Sequence, residues 1–194
     1  FYVGGGKDLY RELTQDILKL NMVGFMGFPM PAQPFGWFKN PVENVGQVKG
    51  LKYRTVGLAA DLLQQLGMSV AQLPGGEIVP AMERGVIEGF EFNNPTSDRR
   101  FGAQDVAKNY MMGSHHQATE YFEIMFNKTK FNALPAEHKA ILQYAAEAVS
   151  SANEWKAMDY YSKDLQELIT KDKVNVVRTP KSVFDAQIKA WDGL

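Results

Sequence analysis

The 194-residue sequence contains no cysteine. That excludes disulfides and thiolate metal sites and leaves the compartment open. An excess of one charge is also lacking, because 21 Lys and Arg stand against 22 Asp and Glu for a net charge of −1. Without a basic surplus to neutralise a phosphate backbone, nucleic acid is excluded as a partner class. No apolar run approaches the roughly 20 residues that a membrane-spanning helix needs. Histidine is scarce, with three in the chain. His115 and His116 are neighbours that point to opposite faces of a strand, so they cannot chelate one ion together, and His138 falls at an exposed helix start. The glycines of "FYVGGGKD" (residues 1–8) match neither GxxxxGK(S/T) nor GxGxxG, and they read as a helix entry rather than a phosphate loop. No nucleophile–base pairing is visible to support enzymatic chemistry. Internal repeats and low-complexity segments are absent. No leader-like stretch opens the chain, and "FYVGGGKDLYREL" reads as the interior of a fold, as expected for a processed or truncated chain.

What is present is ordinary globular composition, 45% hydrophobic and 22% charged, sufficient for one large domain or two small ones. Leu9, Leu13, Ile17 and Leu20 recur at spacings of 3 or 4, which predicts an amphipathic helix over 7–20. "NMVGFMGFP" reads as a buried strand. "PAQPFGWFKNP" (31–41), with three prolines and a glycine, reads as an ordered loop. Strand, helix, strand, helix, strand then follow at 50–57, 58–67, 68–74, 76–85 and 86–92. That rhythm predicts a parallel sheet layered by helices, with ligands at the carboxyl ends of its strands. Beyond 107 come two aromatic-rich strands, 107–116 and 119–128. A helix-compatible stretch over 136–170 carries Ile141, Ala145, Ala148, Ala152, Trp155, Met158, Tyr161, Leu165 and Leu168 as an apolar stripe. At about 1.5 Å per residue it would reach roughly 50 Å. Such a helix bends (near Ser150-Ser151 or Ser162), bridges two lobes or meets a partner chain. A strand in "VNVVRTP" and a helix from 181 close the chain.

Two ionisable residues stand where apolar ones are expected. Arg54 interrupts the strand "LKYRTVG", and a buried guanidinium needs an anion, which its planar fork grips bidentately. That anion is a ligand carboxylate or an Asp or Glu of the chain. Glu91 lies between Phe90 and Phe92, and a half-buried carboxylate must be paired, protonated or bound to a cation. Gln33, Asn93 and Asn94 supply oxygen donors that suit a hard cation such as Na⁺ or Ca²⁺ rather than zinc. Gln33 sits in the proline-rigidified loop, and Phe35 and Trp37 could wall such a site.

"FYVGGGKDLYREL", "PAQPFGWFKNPV", "VKGLKYRTVGLAADLLQQLG", "LPGGEIVPAMERGVIEGFEF" and "YFEIMFNKTKFNALPAEHK" together resemble the DctP-type substrate-binding proteins of tripartite ATP-independent periplasmic (TRAP) transporters. The similarity spans essentially the whole chain and is nearest to the branch that binds α-keto acids and lactate. It implies an α/β, periplasmic-binding-protein-like fold, in which two lobes joined by strands and a long C-terminal helix close around an organic anion. By this resemblance residues 1–32 and 92–120 belong to lobe one. Residues 33–91 and 121–134 belong to lobe two, and 135–194 hold the bridging helix with the last strand and helix. The resemblance also implies an N-terminal portion of lobe one preceding this chain, a periplasmic location and delivery to the membrane subunits of a transporter. Pairing of two copies through the C-terminal helices is implied as well. Arg54 matches the arginine that pairs with the ligand carboxylate, and Gln33 matches a ligand and metal contact. Glu91 and Phe92 match the glutamate and aromatic residue that hold the cation in keto-acid binders. Phe92 replaces the usual tryptophan, which is equivalent if that position ligates through its backbone carbonyl. "NNP" replaces the common "VGP", which places Asn93 among the ligand contacts with Trp37. The expected cargo is a 2-oxo or 2-hydroxy acid. The alternatives are a larger aromatic carboxylate or a polyol on the same fold, or an α/β enzyme with Glu91 as base.

Overall fold

The computed structural model describes all 194 residues, which divide into two compact units, Phe1–Met30 with Tyr121–Lys156 and Pro31–Glu120 with Ala157–Leu194.

The larger unit is built on a six-stranded sheet of order β4-β3-β5-β2-β6-β8. Its strands are β2 (Gly36–Phe38), β3 (Lys52–Arg54), β4 (Ser69–Ala71), β5 (Gly89–Phe90), β6 (Asn109–Met112) and β8 (Asn175–Arg178). β3 runs parallel to β4 and β5, and β6 runs parallel to β8. β2 lies between the two parallel groups and is antiparallel to both β5 and β6. The sheet is therefore mixed rather than purely parallel. The reason is β2, a strand inside the stretch that reads as a loop from its prolines and glycine.

Alternation along each strand feeds two cores. Phe38, Tyr53 and Met111 pack on one face with Leu62, Leu63 and Val183, contributed by α2 (Leu58–Gln65) and α8 (Lys181–Trp191). Trp37, Phe90 and Tyr110 pack on the other with Ile78, Met82 and Ala103, from α3 (Ile78–Glu83) and α5 (Ala103–Val106). Leu165 and Leu168 of the long helix join this second core. Each face thus buries whole aromatic side chains, about 1.5–3 kcal/mol of hydrophobic stabilisation apiece. A short helix α4 (Pro95–Phe101) precedes α5, and Asn94 caps it by accepting from the backbone N–H groups of Thr96 and Ser97.

In the smaller unit β1 (Met22–Met30) pairs with β7 (Glu120–Asn127). Phe25 of β1 meets Phe126 of β7 and Phe131 of α6 (Lys128–Asn132) in an aromatic cluster. Glu123 fills the space over Gly24, where a Cβ would lie 1.5 Å from the carboxylate. The helix expected over 7–20 is α1 (Gly6–Arg11) continued by a π-helical turn over Glu12–Ile17. Its stripe of Leu9, Leu13, Ile17 and Leu20 is exposed rather than buried.

Helix α7 runs uninterrupted from Ala136 to Thr170, the bounds that the sequence predicts. The stripe assigned to it is buried at its end, at Leu168, but elsewhere differs: Ile141, Trp155 and Met158 are exposed, whereas Ala146 and Ser150 are buried. The units also differ from the lobes that the resemblance assigns. β7 pairs with β1, which carries 121–134 into the unit of residues 1–30. β6 pairs with β2 and β8, which carries 92–120 into the unit of 33–91.

Candidate functional site

β3 and β5 are parallel neighbours, so Arg54 and Glu91 emerge side by side at their carboxyl ends. β2 enters the sheet antiparallel at this same end, and β6 leaves it there, which delivers the loop before Gly36 and the turn after Met112 to the same place. Gly36 is required for the approach. Its φ is +121°, and a Cβ there would lie 2.2 Å from the Phe90 carbonyl oxygen.

Arg54 is 6% exposed and Glu91 is 5% exposed. Arg54 donates from Nε to the Leu73 carbonyl at 2.8 Å, and from Nη1 to the Glu91 carbonyl at 2.8 Å and to Glu91 Oε1 at 2.9 Å. Of the two anions open to Arg54, the structure supplies the one within the chain. Nη2 is left without a protein partner. Burial pushes the Glu91 carboxyl up to about 7, against the pull of Arg54 and the nearby Thr55 and with added push from Asp98 and Glu120. The Thr55 hydroxyl is buried and makes no hydrogen bond of good geometry. With Glu91 ionised the pair is neutral, so an arriving monoanion would leave one negative charge unbalanced.

Gln33 is held by its own backbone, whose N–H donates to the Gln117 carbonyl at 3.1 Å. Its Nε2 donates to the Phe92 carbonyl at 3.3 Å, and its Oε1 lies 2.9 Å from His116 Nε2. The Phe92 ring stacks on Phe101 with centroids 4.5 Å apart and covers Gly75, so only its backbone carbonyl faces Gln33. Gln33 presents Nε2 rather than its oxygen to the Phe92 carbonyl, so Gln33 Oε1, Phe92 O and the Glu91 carboxylate would make an all-oxygen set of the kind hard cations take only with the Gln33 amide turned over. No group of three or more His, Asp or Glu side chains is placed so that it could hold a metal ion. Asn93 donates from Nδ2 to Glu120 Oε2 at 3.3 Å, and Asn94 is occupied in capping α4.

Phe35 and Trp37 are not walls of the site. Both are fully buried, Phe35 stacked against Tyr53 and Trp37 against Tyr110. Trp37 donates from Nε1 to Asp98 Oδ2 at 2.9 Å. Asp98 and His116 are the residues that pattern reading passes over. Asp98 accepts from Trp37, from Tyr110 OH at 2.9 Å, and from the backbone N–H groups of Asn93 and Asn94 at 3.0 and 3.1 Å. It pins the turn after Glu91 to the sheet. Burial pushes its carboxyl up to about 6 against these hydrogen bonds. Its only sequence signal is the N-P-T-S-D helix start, in which Asp98 looks like a first-turn acid. His116 is buried, and burial pushes its imidazole down to about 4. Adjacency to His115 argues against shared chelation but says nothing of a hydrogen-bond role.

Residues 4–192 match the family described as bacterial extracellular solute-binding protein, family 7 (DctP). The chain is 32% identical over 144 residues to a monocarboxylate 2-oxoacid-binding periplasmic protein of Nostoc sp., an alignment that takes 74% of this chain and 39% of that protein. Among solved structures, a TRAP periplasmic solute-binding protein of Colwellia psychrerythraea with bound calcium and pyruvate superposes with a TM-score of 0.89. It is 31% identical, and the match covers 100% of this chain and 58% of that one. A homologue from Pseudoalteromonas atlantica with bound sodium and pyruvate gives a TM-score of 0.86 at 29% identity, with 100% and 58% covered. The chain therefore spans between about two fifths and three fifths of these relatives' lengths.

Proposed function

Because the chain belongs to family 7 of the bacterial extracellular solute-binding proteins, we propose that it captures a small 2-oxo or 2-hydroxy monocarboxylate together with a hard cation. It then presents the acid, in the periplasm, to the membrane subunits of a TRAP transporter. Proteins of this family bind and release their cargo without converting it, and Glu91 serves as a ligand rather than a general base.

The observation that carries the cargo class is the buried Arg54–Glu91 pair beside Gln33 and the Phe92 carbonyl. Arg54 offers its free Nη2 to the acid. Glu91, Gln33 and Phe92 O would hold the cation, whose positive charge balances a monoanion at a pair that is already neutral. A Glu91 carboxyl raised to about 7 is one that gains most from a positive neighbour. Calcium and sodium accompany pyruvate in the two structures described above, which supports both the donor set and the cargo. Pairing of two copies through the C-terminal helices completes the proposal, with Ile141, Tyr144, Trp155 and Met158 of α7 as exposed apolar surface.

Calorimetry with pyruvate tests the reading. Binding is expected in calcium or sodium, with a loss of at least about tenfold (1.4 kcal/mol) in cation-depleted buffer. Equal affinity without a cation would make Glu91 a structural or direct ligand contact. Preference for a larger aromatic carboxylate or a polyol would overturn the cargo class while leaving the family standing.

A further inference from the structure

Gln33 is the end of a buried hydrogen-bond chain that runs back to α8. His116 Nε2 lies 2.9 Å from Gln33 Oε1, and Nδ1 lies 2.7 Å from Ser114 Oγ. Ser114 Oγ is 3.1 Å from Oε1 of the fully buried Gln187. Gln187 cannot turn freely, because its Oε1 also accepts from the backbone N–H of His115 at 2.7 Å. At the other end the Gln33 amide faces the Phe92 carbonyl.

Proton supply limits this chain. Ser114 has one hydroxyl proton, and a neutral imidazole has one N–H. His116 is buried with only neutral partners, Ser114 and Gln33, on its two ring nitrogens, the setting of a neutral ring. Two orders are then available. In the first, Ser114 donates to Nδ1, Nε2–H donates to Gln33 Oε1, and Gln33 Nε2 donates to the Phe92 carbonyl. Ser114 and Gln187 are left oxygen to oxygen. In the second, Ser114 donates to Gln187 Oε1, Nδ1–H donates to Ser114, and Gln33 Nε2 donates to the bare Nε2 of His116. The Gln33 oxygen then turns toward the Phe92 carbonyl. Two carbonyl oxygens facing one another repel unless positive charge lies between them. The second order gives Gln187 Oε1 the Ser114 proton beside that of His115 N–H, leaves the buried Gln187 Nε2 without a partner as the first does, and creates an oxygen pair at the site. The imidazole supports either order in place, by carrying its proton on one nitrogen or the other, while the Gln33 amide turns over.

We propose, on the basis of the cation site described above, that His116 is a positioning residue for it. With its proton on Nδ1, His116 accepts from Gln33 Nε2 and so aims the Gln33 oxygen beside the Phe92 carbonyl. With its proton on Nε2, it turns that oxygen away. Gln33 is thereby a cation ligand whose orientation is set from the Ser114–Gln187 side.

The test is nitrogen NMR of ¹⁵N-histidine-labelled protein, with His116 assigned by loss of its signals in His116→Gln. Spectra are taken in chelator and again with calcium and pyruvate, with calorimetry on the same samples. His116 is expected to change from the Nε2–H to the Nδ1–H tautomer on loading. His116→Leu is expected to lower calcium affinity by about 10–100-fold, as loss of an outer partner of a metal ligand does. His116→Gln, whose amide can present either polarity, should retain most of the affinity. Calcium binding with the Nε2–H tautomer unchanged overturns the role of His116 and leaves the cation site intact. Absence of any calcium or sodium binding removes the site and the inference together. The wild-type spectra decide even if His116→Leu fails to fold.

Discussion

Arg54 serves two partners with one guanidinium, which sets what its variants report. Arg54→Ala would strand Glu91 in a buried position, a change that typically costs about 3–5 kcal/mol, so it would disturb the fold as well as binding. Arg54→Lys keeps the charge and loses the fork. It should fold, and its affinity for pyruvate should fall by at least about tenfold (1.4 kcal/mol) in calorimetry; unchanged affinity would remove Arg54 from contact with the acid. Asp98 offers a pH test. Its carboxyl is raised to about 6 in the folded chain, against about 3.9 when unfolded. The folded state therefore binds more protons between these values, and stability from this group is present below about pH 4 and is lost as pH rises through about 6. Asp98→Asn lacks that loss. Its destabilisation relative to wild type, measured in urea, should be greatest near pH 4 and smaller at pH 7. A gap that widens with pH would mean that the four hydrogen bonds outweigh burial.

At the scale of elements, the three-residue strand β2 determines where the site forms. Gly36 lets it pass against the Phe90 carbonyl, so Gly36→Ala should destabilise the protein by about 2 kcal/mol or more, through left-handed backbone strain and a forced contact. A midpoint in urea equal to that of wild type would contradict this. β2 was not legible in "PAQPFGWFKNP". Three residues carry no periodicity of their own, and the prolines and glycine dominate a local reading. What makes them a strand is pairing with Phe90 and Tyr110, both more than 50 residues away. Arg54, Glu91 and Gln33 were legible, because a charge in an apolar strand and an amide in a rigid loop announce themselves locally. Their mutual placement was not, and the direct Arg54–Glu91 pair was only one of two open readings. Trp37 and Phe35 misled because aromatic residues in a proline-rich loop suggest a ligand wall, whereas here they are core. The long helix was legible in extent and not in face. Its buried positions include Ala146 and Ser150, which hydrophobicity does not single out.

For the whole molecule, the exposed Ile141, Tyr144, Trp155 and Met158 bear on association. Sedimentation equilibrium is expected to give a dimer at tens of micromolar, dissociated by Trp155→Glu with Met158→Glu, since large apolar side chains left exposed along one helix are candidates for an interaction site. A monomer at that concentration would exclude a stable helix-mediated pair. A separate consequence follows from the pairing of β1 with β7. The stretch "MVGFMGFPM" is separated from its partner by the whole of Pro31–Thr119. A pairing across so long a loop pays its closure entropy before any contact rewards it, and such pairings form late. Until then, an apolar edge with unpaired N–H and C=O groups is open to any other chain. Folding molecules thus pass through a vulnerable stage set by strand order rather than by stability, and a chaperone able to shield one bare strand during it would decide the yield.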